Sequence, residues 1–115
     1  MTLDILIPTY NRSLYLLKNL KQLEGYILKN NLEREVSIIV SNNCSTDNTA
    51  QIVDGFISKT SINVSYFEQE SNLGLEGNAL FVLEKATSPY VMYMGDDDYT
   101  WIYELARLLE LIIGK

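Results

Sequence analysis

The chain has 115 residues, 47% of them hydrophobic, and 15 acidic against 9 basic side chains give a formal charge of −6. That describes one domain or part of one, with enough apolar side chain for a real core, and it argues against nucleic-acid binding through a basic face. There is no histidine and a single cysteine, Cys44, which excludes His-based acid–base chemistry, Ser-His-Asp and Cys-His nucleophiles, the usual zinc sites and an internal disulfide; any metal here is held by oxygen.

No apolar run approaches the ~18–20 residues a membrane span needs. The N-terminus enters a strand at once, without the basic region and cleavage site of a signal peptide. Leu3 to Pro8 (LDILIP) reads as a buried strand stopped by its proline. Thr9 to Arg12 is a loop, and Ser13 is placed to cap the helix that follows. In that helix Leu14, Leu17, Leu20 and Leu23, with Leu16, Ile27 and Leu28, recur at helical spacing between lysines, giving about four turns. Asn30 and Asn31 end it. Val36 to Val40 is a second strand and Ser41 to Asp47 a polar loop, from which Thr46 or Asp47 caps a helix carrying Ile52, Val53, Phe56 and Ile57. Ile62 to Phe67 is a third strand. After the loop Glu68 to Gly74, a helix from about Leu75 to Ala86 turns Leu80, Val82 and Leu83 inward, and Ser88-Pro89 breaks it.

Tyr90 to Met94 suits a central strand. It runs through Gly95 straight into Asp96, Asp97 and Asp98. Three adjacent carboxylates repel one another unless solvent or a cation screens them, so this is either a solvated acidic turn or a site for a hard divalent cation such as Mg²⁺ or Mn²⁺. The last helix, roughly Trp101 to Ile113, carries Leu105, Leu108, Leu109 and Ile112 on one stripe, with Ile102, Leu111 and Ile113 off it. So much apolar circumference predicts a face that docks a second copy or a further part of the polypeptide, rather than a terminal helix tucked against the sheet.

Strand and helix alternate four times with short connections. The expected fold is α/β: a mainly parallel sheet of about four strands in the order 3-2-1-4, helices on both faces. Ligands of such sheets bind beyond the carboxyl ends of the strands, where the winding reverses. Four segments meet there: Thr9–Arg12, Asn42–Asp47, Asn72–Asn78 and Gly95–Asp98. They bring an aromatic face (Tyr10), one cation (Arg12), amides (Asn11, Asn42, Asn43, Asn72, Asn78) and carboxylates. Neither GxxxxGK[ST] nor GxGxxG after a strand occurs, which disfavours a P-loop or a dinucleotide fold. A phosphoacceptor receiver domain wants acidic residues after the first strand and an aspartate after the third, and has neither here.

The motifs IPTYNR (Ile7–Arg12), SNNCSTDNT (Ser41–Thr49), ESNLGLEGN (Glu70–Asn78) and YVMYMGDDD (Tyr90–Asp98) resemble those of family 2 glycosyltransferases, in the family's order and spacing and over nearly the whole chain. The SNNCSTD and NLGLEGN versions are most similar to the branch that includes abequosyltransferase-like enzymes. The resemblance implies the Rossmann-like, nucleotide-sugar-binding half of a GT-A fold over residues 1–115, ending before the acceptor-binding half. It implies transfer of a sugar from a nucleotide-diphosphate donor to the hydroxyl of a saccharide or lipid-linked acceptor, in the cytoplasm or at the inner membrane face. Pro8, Thr9 and Tyr10 would line the base pocket. Asn42 stands where the family usually has an aspartate. Asn72 and Asn78 would border the nucleoside, Arg12 is the cation nearest the diphosphate, and Asp96 would face the ribose with Asp97, or Asp98 in the other register, taking Mn²⁺ or Mg²⁺, one or two of the three touching the cation. No catalytic base is assigned.

Each residue has a plainer reading. Tyr10 is then a loop aromatic, Arg12 the partner of a surface carboxylate, and Asn42 and Asn43 the braces of their own turn. Asp47 reads as a helix cap rather than a ligand, Trp101 as core or a contact to a further domain rather than a sugar platform, and Cys44 as a small loop residue with nothing basic beside it. The alternative function is a noncatalytic nucleotide-binding or assembly module that docks a partner through its last helix.

Overall fold

A computed structural model describes residues 1–95 and 101–114, with Trp101 and Ile102 described by their backbone alone. Four strands, β1 (Leu3–Thr9), β2 (Val36–Asn42), β3 (Asn63–Glu68) and β4 (Tyr90–Tyr93), alternate with helices α1 (Ser13–Lys29), α2 (Thr49–Lys59), α3 (Gly74–Glu84) and α4 (Trp101–Ile113). All pairings are parallel and the order is β3-β2-β1-β4, as the alternation predicts. β1 and β2 are flanked on both sides and buried almost throughout, which is why they read as continuous apolar runs. β4 lies at the edge among the described strands, and Tyr90, Val91 and Tyr93 are exposed. The expectation of a central strand there is corrected: aromatic content suits a pleated surface, whichever strand of the sheet provides it.

Strand side chains alternate in direction, and that parity sorts the core into two layers. Leu3, Ile5 and Ile7 of β1 and Val36, Ile38 and Val40 of β2 face one way, into a cluster with Leu16, Leu20, Leu23 and Ile27 of α1, Val53 and Phe56 of α2, and Leu105 and Leu109 of α4. Leu6 and Ile39 face the other way and meet Val82 of α3. Burial of each such side chain is worth about 1.5–3 kcal/mol, so the first layer dominates stability. One stripe of α4, Leu105 and Leu109, is thus buried in this layer, with Tyr103 and Leu111 left exposed.

Several helix faces differ from the expected ones. Leu14, 76% exposed, and Leu28 face solvent, and the α1 stripe runs through Leu16, Leu20, Leu23 and Ile27. On α3 Leu80 is 61% exposed, Leu83 is also exposed, and Val82 is buried alone among the three. A leucine-rich helix fits more than one stripe, and packing selects between them. β1 also runs one residue past Pro8. The Leu6 carbonyl accepts the Met94 N–H at 2.9 Å on the β4 side, and the Thr9 carbonyl accepts the Asn43 N–H at 2.9 Å on the β2 side. Alternation points the missing Pro8 donor toward β4, where pairing stops at Leu6–Tyr93, so the ladder to β2 continues undisturbed.

Candidate functional site

The β1–β2–β3 register levels Thr9, Asn42 and Glu68 at the carboxyl end of the sheet. β1 is flanked by β2 on one side and β4 on the other, so the loop after β1 leaves at the point where the winding reverses. A cleft of about 540 Å³ opens there, lined by Pro8, Thr9, Tyr10, Arg12, Asn43, Asn72, Gly74, Leu75, Asn78 and Gly95. That volume suits a small-molecule site. A groove of about 500 Å³ between α1 and α2, lined by residues such as Leu17, Lys21, Phe56 and Lys59, lies in the helical layer and gathers no loop amides.

Three loops are braced against one another by asparagines. Asn43, buried, donates to Asn72 Oδ1 at 3.0 Å and to the Gly74 carbonyl at 3.2 Å, and accepts the Leu73 N–H at 2.7 Å. Asn72 Oδ1 also accepts the Gly74 N–H at 2.8 Å, an Asx turn. Gly74 takes φ 79° there, a conformation that favours glycine. Asn78, in the second turn of α3, accepts the Ser41 hydroxyl at 2.6 Å and donates to the Ser41 carbonyl at 3.0 Å. It pins α3 to β2 and forms part of the cleft wall.

The amide of Asn42 is committed. It is 1% exposed. Its Nδ2 donates to the Tyr66 hydroxyl at 2.9 Å, and its Oδ1 accepts the Ser45 N–H at 3.0 Å and the Ser45 hydroxyl at 2.5 Å. Burial pushes the Tyr66 phenol above its ordinary value, the Asn42 bond opposes this, and neighbouring Glu68 adds to the rise. Asn42 therefore holds its turn, and it does not line the cleft.

Ser13 does not cap α1. Arg12 occupies the cap position without a side-chain bond, and the Ser13 N–H donates instead to Asp47 Oδ2 at 3.3 Å. Asp47 Oδ1 accepts the Thr49 N–H at 3.1 Å and the Thr49 hydroxyl. One carboxylate so serves the N-termini of two helices, where negative charge is favoured. Burial alone would raise the Asp47 pKa, but the bonds from Thr49 and Ser13 outweigh it and hold the carboxyl below its usual range.

Of the residues expected to bind nucleotide, Pro8, Thr9, Tyr10, Arg12, Asn72 and Asn78 share the cleft. Tyr10 is 43% exposed. Arg12 is exposed, and among the described residues no carboxylate forms an ion pair with it. Asp96, Asp97 and Asp98 lie outside the described residues, as does the Trp101 side chain; Gly95, immediately before the aspartates, lines the cleft. Among the described residues no group of three or more His, Cys, Asp or Glu side chains is placed to hold a metal. No helix among them is long and apolar enough to cross a membrane. The sequence did not single out Leu75, and it assigned Asn43 to its own turn where the structure bonds it across to Asn72, Leu73 and Gly74; the Asn72-Leu73-Gly74 turn was the signal that could have found that partner.

The family profile described as Glycosyl transferase family 2 matches residues 4–114. The poly(ribitol-phosphate) beta-N-acetylglucosaminyltransferase TarS of Staphylococcus aureus is 33% identical over 100 residues, 86% of this chain and 17% of its own length. The abequosyltransferase RfbV of Salmonella typhimurium is 32% identical over 101 residues, 85% of this chain and 28% of its own length. The chain thus spans less than a third of either relative. The crystal structure of S. aureus TarS 1-349 in complex with UDP-GlcNAc superposes with a TM-score of 0.77 at 26% identity, covering 96% of this chain and 32% of that one. The fold also matches a Pyrobaculum calidifontis mannosyltransferase solved with GDP-Man and Mn²⁺, at a TM-score of 0.68, 18% identity, and coverage of 93% of this chain and 32% of that one.

Proposed function

The chain belongs to glycosyl transferase family 2, and on that premise we propose that it is the donor-binding half of a glycosyltransferase that moves a sugar from a nucleotide diphosphate to an acceptor hydroxyl. The observation that supports this most is the convergence of Pro8, Thr9, Tyr10, Arg12, Asn72 and Asn78 on one cleft at the reversal of the sheet. In this reading Tyr10 stacks against the base, Pro8 and Thr9 border it, and Asn72 and Asn78 border the nucleoside. Asn42 acts by fixing the turn through Ser45. Arg12 is the protein cation nearest the diphosphate.

Asp97 and Asp98 would hold Mn²⁺ or Mg²⁺, and Asp96 would face the ribose. When bound, the cation would neutralise charge on the departing diphosphate. The hard oxygen chemistry of the three carboxylates suits such an ion. The protein groups do the rest of the binding: they orient the base and keep water off its face. The acceptor site and the base that deprotonates the acceptor would come from sequence corresponding to the remaining length of the relatives, so the segment alone binds donor without turnover.

Calorimetric titration of UDP-, GDP-, CDP- and dTDP-sugars with and without Mn²⁺ tests this. Saturable binding by one of them, strengthened by Mn²⁺, is expected. Tyr10→Ala weakens it by about 1–3 kcal/mol, the usual worth of one base–aromatic stack, and Tyr10→Phe preserves it. Absence of binding by every donor sinks the proposal.

A further inference from the structure

The turn between β1 and α1 meets the cleft at Tyr10 and Arg12, while the residue between them is bonded elsewhere. Asn11 takes φ 52°, the left-handed region that asparagine tolerates better than most residues. Its Oδ1 accepts the Thr46 N–H at 2.8 Å, the Thr46 hydroxyl at 3.3 Å and the Asp47 N–H at 3.3 Å. Its own N–H donates to Ser45 Oγ at 3.0 Å. Two residues on, the Ser13 N–H reaches Asp47. Residues 11 and 13 are therefore both fastened to the 45–47 loop.

We infer that Asn11 is a positioning residue of the donor site: its carboxamide, bonded to residues 46 and 47, sets where Tyr10 and Arg12 stand before the nucleotide arrives. This rests on the donor-binding reading of the same cleft. Ordering a loop residue costs about 1–2 kcal/mol of backbone entropy. A turn fixed during folding meets that cost before ligand arrives, which favours affinity. Asn11 touches no ligand in this scheme and works through its two neighbours.

Two substitutions separate the carboxamide from the backbone shape. Asn11→Gly keeps the left-handed turn without strain and removes the acceptor. Asn11→Asp keeps an acceptor oxygen in a residue that also tolerates this conformation. Affinity is read for whichever of UDP, GDP, CDP and dTDP binds the parent chain most tightly, with Mn²⁺ present, well below the unfolding temperature of every variant. N11G is expected to weaken binding about tenfold, the worth of a hydrogen bond or two, and N11D to stay within about threefold of the parent.

A double-mutant cycle supplies the readout that mere loop stability does not move. Tyr10→Ala costs the parent about tenfold and costs N11G less than about threefold, because the ring is no longer held in place. If N11G binds like the parent, or if the two losses simply add, the positioning role is wrong while the donor site stands. If the parent binds none of the four diphosphates, the donor-binding reading fails and takes this inference with it.

Discussion

The two ends of the sheet are held together by different chemistry. At the amino end Asp4, 1% exposed, receives four hydrogen bonds: from the Ser37 hydroxyl, from the Ser88 hydroxyl at 2.7 Å, and from the N–H groups of Thr87 and Ser88 at 2.8 and 3.0 Å. One buried charge ties β1, β2 and the α3–β4 connection. At the carboxyl end the loops are braced chiefly by neutral amides, those of Asn11, Asn42, Asn43, Asn72 and Asn78. Among the described residues two carboxylates join them: Asp47, turned onto two helix N-termini, and Glu68, which accepts from the Tyr66 hydroxyl at 3.4 Å and the Asn42 amide at 3.5 Å. Carboxamides can fix a loop without placing a permanent anion beside it. Among the described residues that leaves Arg12 and Tyr10 without a side-chain partner at the cleft. Charge is used for structure at one end and kept available for a ligand at the other.

The largest effect that tests this contrast is at Asp4. Asp4→Ala orphans the buried Ser37 hydroxyl and three part-buried donors of Thr87 and Ser88 at once and is expected to cost about 2–4 kcal/mol of stability, read by urea unfolding. Donor affinity at temperatures where the variant stays folded is expected to be unchanged. The pH dependence has a definite sign. Burial by itself would raise the Asp4 pKa, but the bonds from Ser37, Ser88 and Thr87 prevail and lower it. A carboxylate depressed in the folded state contributes its full stability above the unfolded value of about 3.9 and loses it as pH falls through the folded value. The gap between parent and Asp4→Ala therefore holds at neutral pH and narrows below about pH 4. A variant that unfolds like the parent, or binds donor worse while folded, breaks the division between the two ends.

Asn78 comes next, because it belongs to both functions. Asn78→Ala strips the Ser41 carbonyl and hydroxyl of a buried partner, worth about 1–3 kcal/mol. The same residue lines the cleft, so donor affinity is expected to fall with it. Asn78→Asp keeps an acceptor for the Ser41 hydroxyl but sets a carboxylate against the Ser41 carbonyl, and is expected to destabilise at least as much. Loss of stability with affinity intact would make Asn78 purely a clamp, and the wall it forms would belong to the scaffold alone.

These residues also mark how far the sequence could be read. Sheet order and loop convergence follow from the alternation of apolar runs with helical patterns, because buried parallel strands have little freedom in composition or connection. The Asp4 node was hidden within an apolar run: nothing local announces that Ser37, Thr87 and Ser88, 33 to 84 positions away, will supply its donors. The amide braces escape for the same reason. Asn11 and Asn43 carry turn chemistry in sequence, yet their partners lie 29 to 36 residues on. Tertiary pairing decides which asparagine braces and which faces ligand. Asn42 shows the consequence, an expected ligand found committed to Tyr66 and Ser45.

The smallest expected effect probes the same limit on a helix. Leu14 fits the leucine periodicity of α1 as well as Leu20 does, yet it is 76% exposed and Leu20 fully buried. Leu14→Ala removes little buried surface and substitutes the best helix former, so stability is expected to move by less than about 0.5 kcal/mol in thermal unfolding. Leu14 also follows Arg12 by two positions, at the turn held by Asn11 and Asp47. If that turn is fixed by its hydrogen bonds, truncating an exposed neighbour leaves donor affinity where it was. A loss of 2 kcal/mol or more, the scale of a packed leucine, would mean that the outward face of α1 is covered. The contrast between a structural end and a ligand end would then have to include whatever covers it.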